Sequence, residues 1–408
     1  METSIRIKNI GPLTDTGIIT LSRFNIIVGK QSTGKSTFMK ILSYCEWLEK
    51  KLMTDSNGDV LYNYTHYYKF QKELNQFHRL NDSYFSENSL IEYNSDSVKI
   101  IFQGNKENAQ IIRKPNFEAL RHNTKLSFIP SERNLVTAIR NVDRAYRATE
   151  NDLIFNHIFE WSKAKESTSA ENPIDLSVVG DMEYYYDASK ETDQIVLKKD
   201  KREIAPFYAS SGVQSVLPIM VMVNYLTSKN LFDSLDMTQF DVSSLIKKLT
   251  EGASNDVAST QKLLEQFTAK QKYKNTKLFL EEPEQNLFPE SQQALVNFMV
   301  ERINAASYYT HEESTLTLTT HSPYIITAFN VLMRAADAME ADAEKTSCLI
   351  SPQCIIPHKM VKAYYVNEDG EMKDIIDSEI NMISGLELDN ASTIVEDRLS
   401  ALNDIIYE

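Results

Sequence analysis

The sequence predicts an α/β fold in which helices flank a central sheet. Three observations carry this prediction: a glycine-rich loop between an apolar strand and a helix, a second apolar strand that ends in two adjacent carboxylates, and a third strand that ends in a histidine. Strands that alternate with helices and end in polar groups are typical of such sheets, which bind ligands at the carboxyl ends of their strands. A chain of 408 residues, 42% hydrophobic and 25% charged, is long enough for this sheet plus insertions.

The glycine-rich loop follows the apolar strand Phe24–Val28 and precedes a helix that includes Thr37–Leu42. It meets every fixed position of the phosphate-binding pattern G-x-x-x-x-G-K-[ST]. Its glycines let the backbone wrap a polyphosphate, with amide groups at the helix N-terminus facing the negative charge. Lys35 is expected to reach the β- and γ-phosphates of a nucleoside triphosphate such as ATP, and the Ser36 hydroxyl to ligate Mg²⁺. The alternative is a chance turn before a helix. The predicted nucleotide-binding residues here are Gly29, Lys30, Gln31, Ser32, Thr33, Gly34, Lys35, Ser36 and Thr37.

The acidic strand, Lys277–Leu280, delivers Glu281 and Glu282 at its carboxyl end. In phosphate-loop enzymes a carboxylate at this place holds the Mg²⁺ shell, and a neighbouring base orients the attacking water. We assign Glu281 to the metal and Glu282 to the general base. The usual residue at the first position is Asp, and the longer Glu281 favours contact with Mg²⁺ through water. The alternative is a solvated acidic turn ended by Pro283.

Two further segments belong to the same set. The strand Thr315–Thr320 alternates as a strand should and presents His321, which is either a structural residue or a catalytic one. Ser211, Gly212 and Gln214 open the apolar helix Val216–Leu226, and free amides at such an N-terminus can bind an anion. An ordinary helix N-cap is the alternative for these residues.

In this order the four motifs resemble the ATP-binding-cassette (ABC) ATPase heads of the SMC, RecF and OLD group. The local sequence around these motifs resembles still more closely a branch of AAA-type ATP-binding proteins that includes the ATPases of the antiphage systems Septu and PARIS. The segments that carry the resemblance are Ile7–Pro12, Phe128–Arg133, Ser211–Ser215, Glu281–Pro289 and Thr319–Pro323. They span nearly the whole chain.

The resemblance implies a fold and an activity. The fold would be a P-loop NTPase of the ABC-ATPase head type, with a mixed central sheet, an antiparallel β lobe and helical insertions. The activity would be Mg²⁺-dependent ATP hydrolysis, with ATP and Mg²⁺ as cofactors. Lys35 and Glu282 would be catalytic together with His321, which would contact the γ-phosphate.

The resemblance also implies an assembly. Cassette heads pair head to tail, so that Ser211, Gly212 and Gln214 would contact the nucleotide of a second copy, and a monomer would hydrolyse ATP poorly. The segment 284–287 would cross the interface of this homodimer or larger homo-oligomer. Antiphage relatives pair their ATPase with a separate nuclease or toxin, which makes such an effector protein the expected partner.

The glutamine-loop residue of the cassette family has no clear counterpart. Gln103 lies in a predicted strand, and Arg133 is the better candidate for a residue near the nucleotide or the dimer interface. A surface ion pair is the alternative for Arg133.

The chain divides into three predicted parts. Residues 1–130 form a lobe with the phosphate loop, 131–180 a helical insertion, and 181–408 a second lobe with its own helical insertion at about 228–275. The first insertion is far too short for the coiled-coil arm of SMC proteins, which leaves a compact helical protrusion. Its apolar positions are Val136, Ile139, Val142, Leu153, Ile158, Phe159 and Trp161.

Composition narrows the class of function. A net charge of −14 disfavours tight duplex binding, which needs a basic surface, and suits a basic protein partner. A RecF-like or SMC-like DNA-binding repair ATPase stays the alternative function, and a transporter subunit is weaker. No apolar run spans a membrane and no signal peptide is evident, which predicts a cytoplasmic protein. Three cysteines are too few for a disulfide framework. Asp374 and Asp377 are more consistent with exposed hairpin carboxylates than with a nuclease site.

Overall fold

The computed structural model describes residues 3–55, 58–106, 108–140, 142, 152–234, 272–386 and 402. Most of the helical insertion predicted at about 228–275 and most of the chain after residue 386 lie outside these residues. The helices are α1 (Lys35–Thr54), α2 (Asp59–His66), α3 (Lys69–His78), α4 (Leu135–Ala138), α5 (Leu153–Lys165), α6 (Ser211–Leu226), α7 (Lys229–Asp233), α8 (Pro289–Thr310), α9 (Pro323–Ala341) and α10 (Ala343–Leu349).

The strands in the described part of the chain form four sheets. They are β1 (Ser4–Ile10), β2 (Leu13–Asp15), β3 (Ile19–Thr20), β4 (Phe24–Gly29), β5 (Leu90–Asn94), β6 (Val98–Gln103), β7 (Gln110–Arg113), β8 (Asn123–Ile129), β9 (Ile174–Asp175), β10 (Met182–Asp187), β11 (Thr192–Leu197), β12 (Arg202–Ile204), β13 (Tyr273–Glu281), β14 (Thr315–Thr320), β15 (Val361–Val366), β16 (Met372–Asp374), β17 (Ile376–Asp377) and β18 (Met382–Ile383).

The central sheet is mixed and has the strand order β16-β15-β4-β14-β13-β8. Five of its strands are parallel, and β16 joins the edge antiparallel to β15. All six residues of β4 are buried, as expected for a parallel strand that is covered on both faces. Because β4, β14 and β13 are neighbours, the loops that follow them meet at one edge of the sheet.

Two antiparallel sheets flank the central one. The first has the order β2-β1-β5-β6-β7, with β3 also paired to β1, and β6 alternates buried and half-buried residues along its length. The second has the order β12-β11-β10-β9 and is built on the hairpin of β10 and β11. The fold is therefore α/β, with the mixed central sheet and antiparallel lobe predicted for a P-loop NTPase of the ABC head type.

Each face of the central sheet covers a separate hydrophobic core. Ile26 and Val28 of β4 face one core, and Ile27 between them faces the other. Residues of β13 divide in the same way, since Leu280 faces the first core and Phe279 the second. Helices α6, α8 and α9 cover the first core, whereas α1 and the antiparallel sheet β2-β1-β5-β6-β7 cover the second. This alternation follows from side chains pointing to opposite faces along a strand.

The described helices of the predicted insertion pack against the rest of the domain. Val136 and Trp161 belong to the same core as Val216 of α6, so the described helices α4 and α5 are part of the body of the domain. Two predicted apolar positions, Ile139 and Phe159, are exposed instead. A single sequence cannot distinguish these arrangements, because an apolar stripe buries equally well against a coiled-coil partner or a sheet.

A buried histidine makes the stability of this fold depend on pH. His78 lies between α1 and β8, its Nε2 is 3.3 Å from the Ser43 hydroxyl, and burial lowers its pKa from 6.5 to about 3, with Lys40 adding to the shift. In the unfolded chain this imidazole therefore binds a proton near pH 6.5, whereas in the folded chain it stays neutral. The free energy of unfolding consequently falls as the pH drops from about 6.5 towards 3.

We expect His78→Phe to remove this contribution of His78 to the pH dependence of the free energy of unfolding. Between about pH 7 and about pH 5 the wild type should lose about 2 kcal/mol more of unfolding free energy than the variant. Urea unfolding at both pH values measures the difference. Buried Glu46 and Glu281, whose pKa values are raised by burial, oppose the trend equally in both proteins. Parallel pH profiles for the two proteins would contradict the expectation.

Candidate nucleotide-binding site

The phosphate loop lies between the end of β4 and the start of α1. Neither of its two glycines has room for a larger side chain. A Cβ at Gly29 would lie 2.6 Å from the carbonyl oxygen of Val366, and one at Gly34 would lie 2.7 Å from Cδ2 of Leu13. Gly34 also has a φ of 112°, a conformation that other residues rarely adopt. The loop is therefore held between β15 and the turn after β1.

Lys35 lies at the centre of the loop. Its buried ammonium donates hydrogen bonds to the carbonyl oxygens of Gly29, at 2.7 Å, and Lys30, at 2.5 Å. Burial lowers the pKa of Lys35, while Glu282 and Glu284 oppose this effect. The positive charge is thus directed into the loop and faces the carboxylates at the end of β13.

Ser36 and Glu281 lie side by side. The Ser36 hydroxyl lies near the Glu281 carboxyl, and the Ser131 amide donates to Oε2 of Glu281 at 3.2 Å. Among the described residues, the other oxygen of this buried carboxyl, Oε1, has no hydrogen-bond partner. Burial raises the pKa of Glu281, opposed first by Lys40 and then by the Ser36 hydroxyl. A hydroxyl beside a carboxylate with an unused oxygen suits a hard cation such as Mg²⁺, which prefers oxygen ligands.

Glu282 is oriented by a strained backbone. Its φ is 43°, unusual for a residue with a side chain, and its amide donates to the carbonyl oxygen of Thr319 at 3.0 Å. Gln285 donates to Oε2 of Glu282 at 2.9 Å, and His321 Nδ1 lies 3.9 Å from Oε1. The turn after β13 therefore directs this partly exposed carboxylate towards the loop after β14.

Sequence reasoning missed the residue that fixes His321. Oε1 of the buried Glu284 accepts hydrogen bonds from the His321 amide and the Thr320 hydroxyl, both at 2.8 Å, and lies 3.3 Å from His321 Nδ1. The third carboxylate in the segment 281–284 was the available signal. With it, the loops after β13 and β14 form one hydrogen-bonded unit.

The start of α6 contacts this unit from the other side. Ser210 caps the helix by accepting the Val213 amide at 3.5 Å, which agrees with the N-cap alternative, and Ser211 is exposed beyond it. Gln214 donates to the carbonyl oxygens of Pro206 and Phe207, so its amide is engaged within its own loop. A Cβ at Gly212 would approach the Asn286 carbonyl oxygen to 3.0 Å.

The structure thus brings together Lys35, Ser36, Glu281, Glu282 and His321 at adjoining strand ends. It places Ser211 and Gly212 beside the segment 284–287, and the roles of all these residues stay predictions. The surface ion pair considered for Arg133 is wrong, because its side chain is fully buried. Gln103 ends β6 and is half-buried.

Two features are absent from the described residues. His, Cys, Asp and Glu side chains in this part of the chain form no group of three or more that could hold a metal ion. Cys45 and Cys354 are buried and Cys348 is exposed. Among the described helices, none is both long and apolar enough to cross a membrane.

Comparison with known proteins finds likeness at the level of structure only. No family model and no curated protein matches the sequence. The chain is similar to the SMC head domain from Thermotoga maritima, with 11% identity over 80% of this chain and 92% of that chain and a TM-score of 0.35. It is also similar to the recombination mediator protein RecF, with 10% identity over 92% and 98% of the two chains and a TM-score of 0.31.

A third similar structure is the Smc head domain from Pyrococcus furiosus, which was solved with an extended coiled coil and bound to the C-terminal domain of ScpA. Identity is 8% over 97% of this chain and 98% of that chain, with a TM-score of 0.38. Likeness this distant carries no argument about residues, ligands or partners. What can be said of this site therefore rests on its own geometry.

Proposed function

We propose that this chain is an ATPase that binds ATP with Mg²⁺ at the phosphate loop and hydrolyses it. The observation that carries the proposal is the grouping of one ammonium, one hydroxyl–carboxyl pair and one partly exposed carboxylate at the ends of β4 and β13. Phosphoryl transfer to water needs these parts: a cation on the phosphates, a metal site and a base for the nucleophile.

Each residue has a role in this proposal. The Lys35 ammonium binds the β- and γ-phosphate oxygens, and Ser36 with Glu281 holds Mg²⁺, which neutralises charge on the same phosphates. Glu282 accepts the proton of the attacking water. His321, oriented by Glu284, donates a hydrogen bond to the γ-phosphate.

The proposal includes a head-to-tail homodimer or larger homo-oligomer. Large apolar side chains are exposed around the site: Phe288 at 70%, Tyr208 at 67% and Tyr324 at 51%. Such exposed apolar side chains near one another are characteristic of an association surface. In this assembly Ser211 and Gly212 present free amides of α6 to the nucleotide of the partner, with Gln214 behind them.

The cellular role is proposed from the resemblance to the Septu and PARIS ATPases. In this role the protein acts in the cytoplasm, responds to phage infection and controls a separate nuclease or toxin through its ATP-bound assembly. The net charge of −14 favours a basic protein partner over a long contact with nucleic acid.

Turnover measured against protein concentration tests the ATPase proposal. We expect the rate per chain to rise as the protein associates, with mass measurements placing ATP-bound protein in dimers or larger species. A rate that is the same in dilute monomers and concentrated protein would overturn the assembly, and no turnover at all would overturn the activity. Strong stimulation of ATP turnover by duplex DNA would favour the repair ATPase, provided that the proposed effector, a protein encoded beside this chain, leaves turnover unchanged.

A further inference from the structure

Arg133 joins the acidic strand to the start of α6. Its buried guanidinium donates from Nε to the Ser215 carbonyl oxygen at 3.1 Å, from Nη1 to the Glu281 carbonyl oxygen at 2.8 Å and from Nη2 to the Glu282 carbonyl oxygen at 2.9 Å. One planar group therefore forms hydrogen bonds with the backbone of Glu281 and Glu282 and with the second turn of α6.

Local charge explains how this arginine is tolerated inside the protein. A buried charge is strongly unfavourable unless hydrogen bonds and opposite charge compensate it. Burial lowers the pKa of Arg133 to about 10, and Glu284, Glu282 and Glu281, in that order, oppose the shift. The guanidinium thus stays charged near neutral pH and lies in the field of the carboxylates themselves.

A second connection runs parallel to the first. Asn286 donates from Nδ2 to the Ser215 hydroxyl at 2.8 Å, and Thr137, in the helix after Arg133, donates to the Gln214 carbonyl oxygen at 2.8 Å. The close approach of Gly212 to the Asn286 carbonyl leaves little free space between the helix and the loop. A displacement of the first turns of α6 would therefore also displace residues 281–286.

We propose that Arg133 is a positioning residue that couples the start of α6 to the orientation of Glu281 and Glu282. When α6 engages a nucleotide held by a second copy, the guanidinium transmits its shift to the backbone that carries both carboxylates. This inference rests on the proposed function. It explains why an arginine is needed: the fork reaches carbonyl groups on two elements at once, which the single ammonium of lysine does not.

Arg133→Lys tests the coupling, with Arg23→Lys as the matched control. Arg23 also donates to a backbone carbonyl, that of Ile303 at 3.1 Å, but it lies before β4 at the opposite edge of the sheet. We expect Arg133→Lys to bind a fluorescent ATP analogue with a Kd within about threefold of wild type, while kcat falls about 100-fold, as for a catalytic group displaced by about 1 Å. Arg23→Lys should keep the wild-type kcat.

The outcomes separate the inference from the function on which it rests. If wild type does not hydrolyse ATP, the proposed function fails. If wild type hydrolyses ATP and Arg133→Lys has the same kcat, or loses thermal stability alone, the coupling is overturned.

A measurement on the wild type covers the case in which Arg133→Lys does not fold. Hydrogen exchange with and without a non-hydrolysable ATP analogue should change together in 211–216 and 281–286, at concentrations where the protein associates. Protection that changes in the second segment alone would overturn the coupling.

Discussion

Glu282→Gln is expected to bind ATP but to hydrolyse it at least about 100-fold more slowly than wild type, because an amide cannot accept the proton of the attacking water. The substitution keeps the size of the side chain and leaves an acceptor oxygen for Gln285, which donates to Oε2 in the wild type. The variant should therefore fold normally and accumulate in the ATP-bound assembly. Phosphate release measures turnover, and light scattering after size exclusion measures the assembly.

The matched control is Glu290→Gln, the same change at an exposed position in the first turn of α8. It should hydrolyse ATP at the wild-type rate. If Glu282→Gln retained wild-type turnover, the general base would have to be assigned elsewhere. If it lost turnover without accumulating a larger species, ATP-held assembly would be wrong, although the base would stand.

Lys35→Ala is expected to weaken ATP binding by at least about 30-fold, which corresponds to about 2 kcal/mol. The reason is the loss of charge-assisted hydrogen bonds to the phosphates, each of which contributes about 1.5 to 3 kcal/mol. Because the wild-type ammonium also holds the carbonyl groups of Gly29 and Lys30, a change of loop conformation would add to the loss. Titration of a fluorescent ATP analogue measures the affinity directly.

The control for this experiment is Lys345→Ala, which removes a lysine whose side chain is 86% exposed and paired with Asp342. It should bind the analogue as wild type does. Equal affinity of Lys35→Ala and wild type would contradict the assignment of the phosphate loop, which is the basis of every role assigned above. Thermal unfolding of both variants shows whether a loss of affinity reflects a loss of fold.

The strands around the site were predictable because their signals are local. The strand before the phosphate loop, β14 and β15 follow directly from apolar or alternating residues, and β14 was predicted with its observed limits. Short strands such as β9 and β12 carry no comparable pattern, because two or three residues cannot show a period. They form because the hairpin of β10 and β11 offers an edge for pairing on both sides.

The contacts that orient the site join residues far apart in the chain. Arg133 bonds to residues 82 and 148 positions away, and no local pattern distinguishes it from an exposed arginine at the start of a helix. Glu284 is similar, because its role is to hold the backbone of a loop 37 residues further on. Sequence spacing predicted which side chains carry the chemistry, whereas the groups that orient them needed the tertiary structure.

The acceptors of Arg133 have a consequence for how this chain can vary during evolution. All of its hydrogen bonds end on backbone carbonyl oxygens, which every amino acid supplies. Mutation of the side chain at 130 or 215 leaves those acceptors in place, whereas no other residue type reproduces the donor. Divergent relatives of this chain should therefore retain the arginine while residues 130 and 215, whose carbonyl groups it contacts, drift, and covariation between these positions and 133 should be weak despite their close contact.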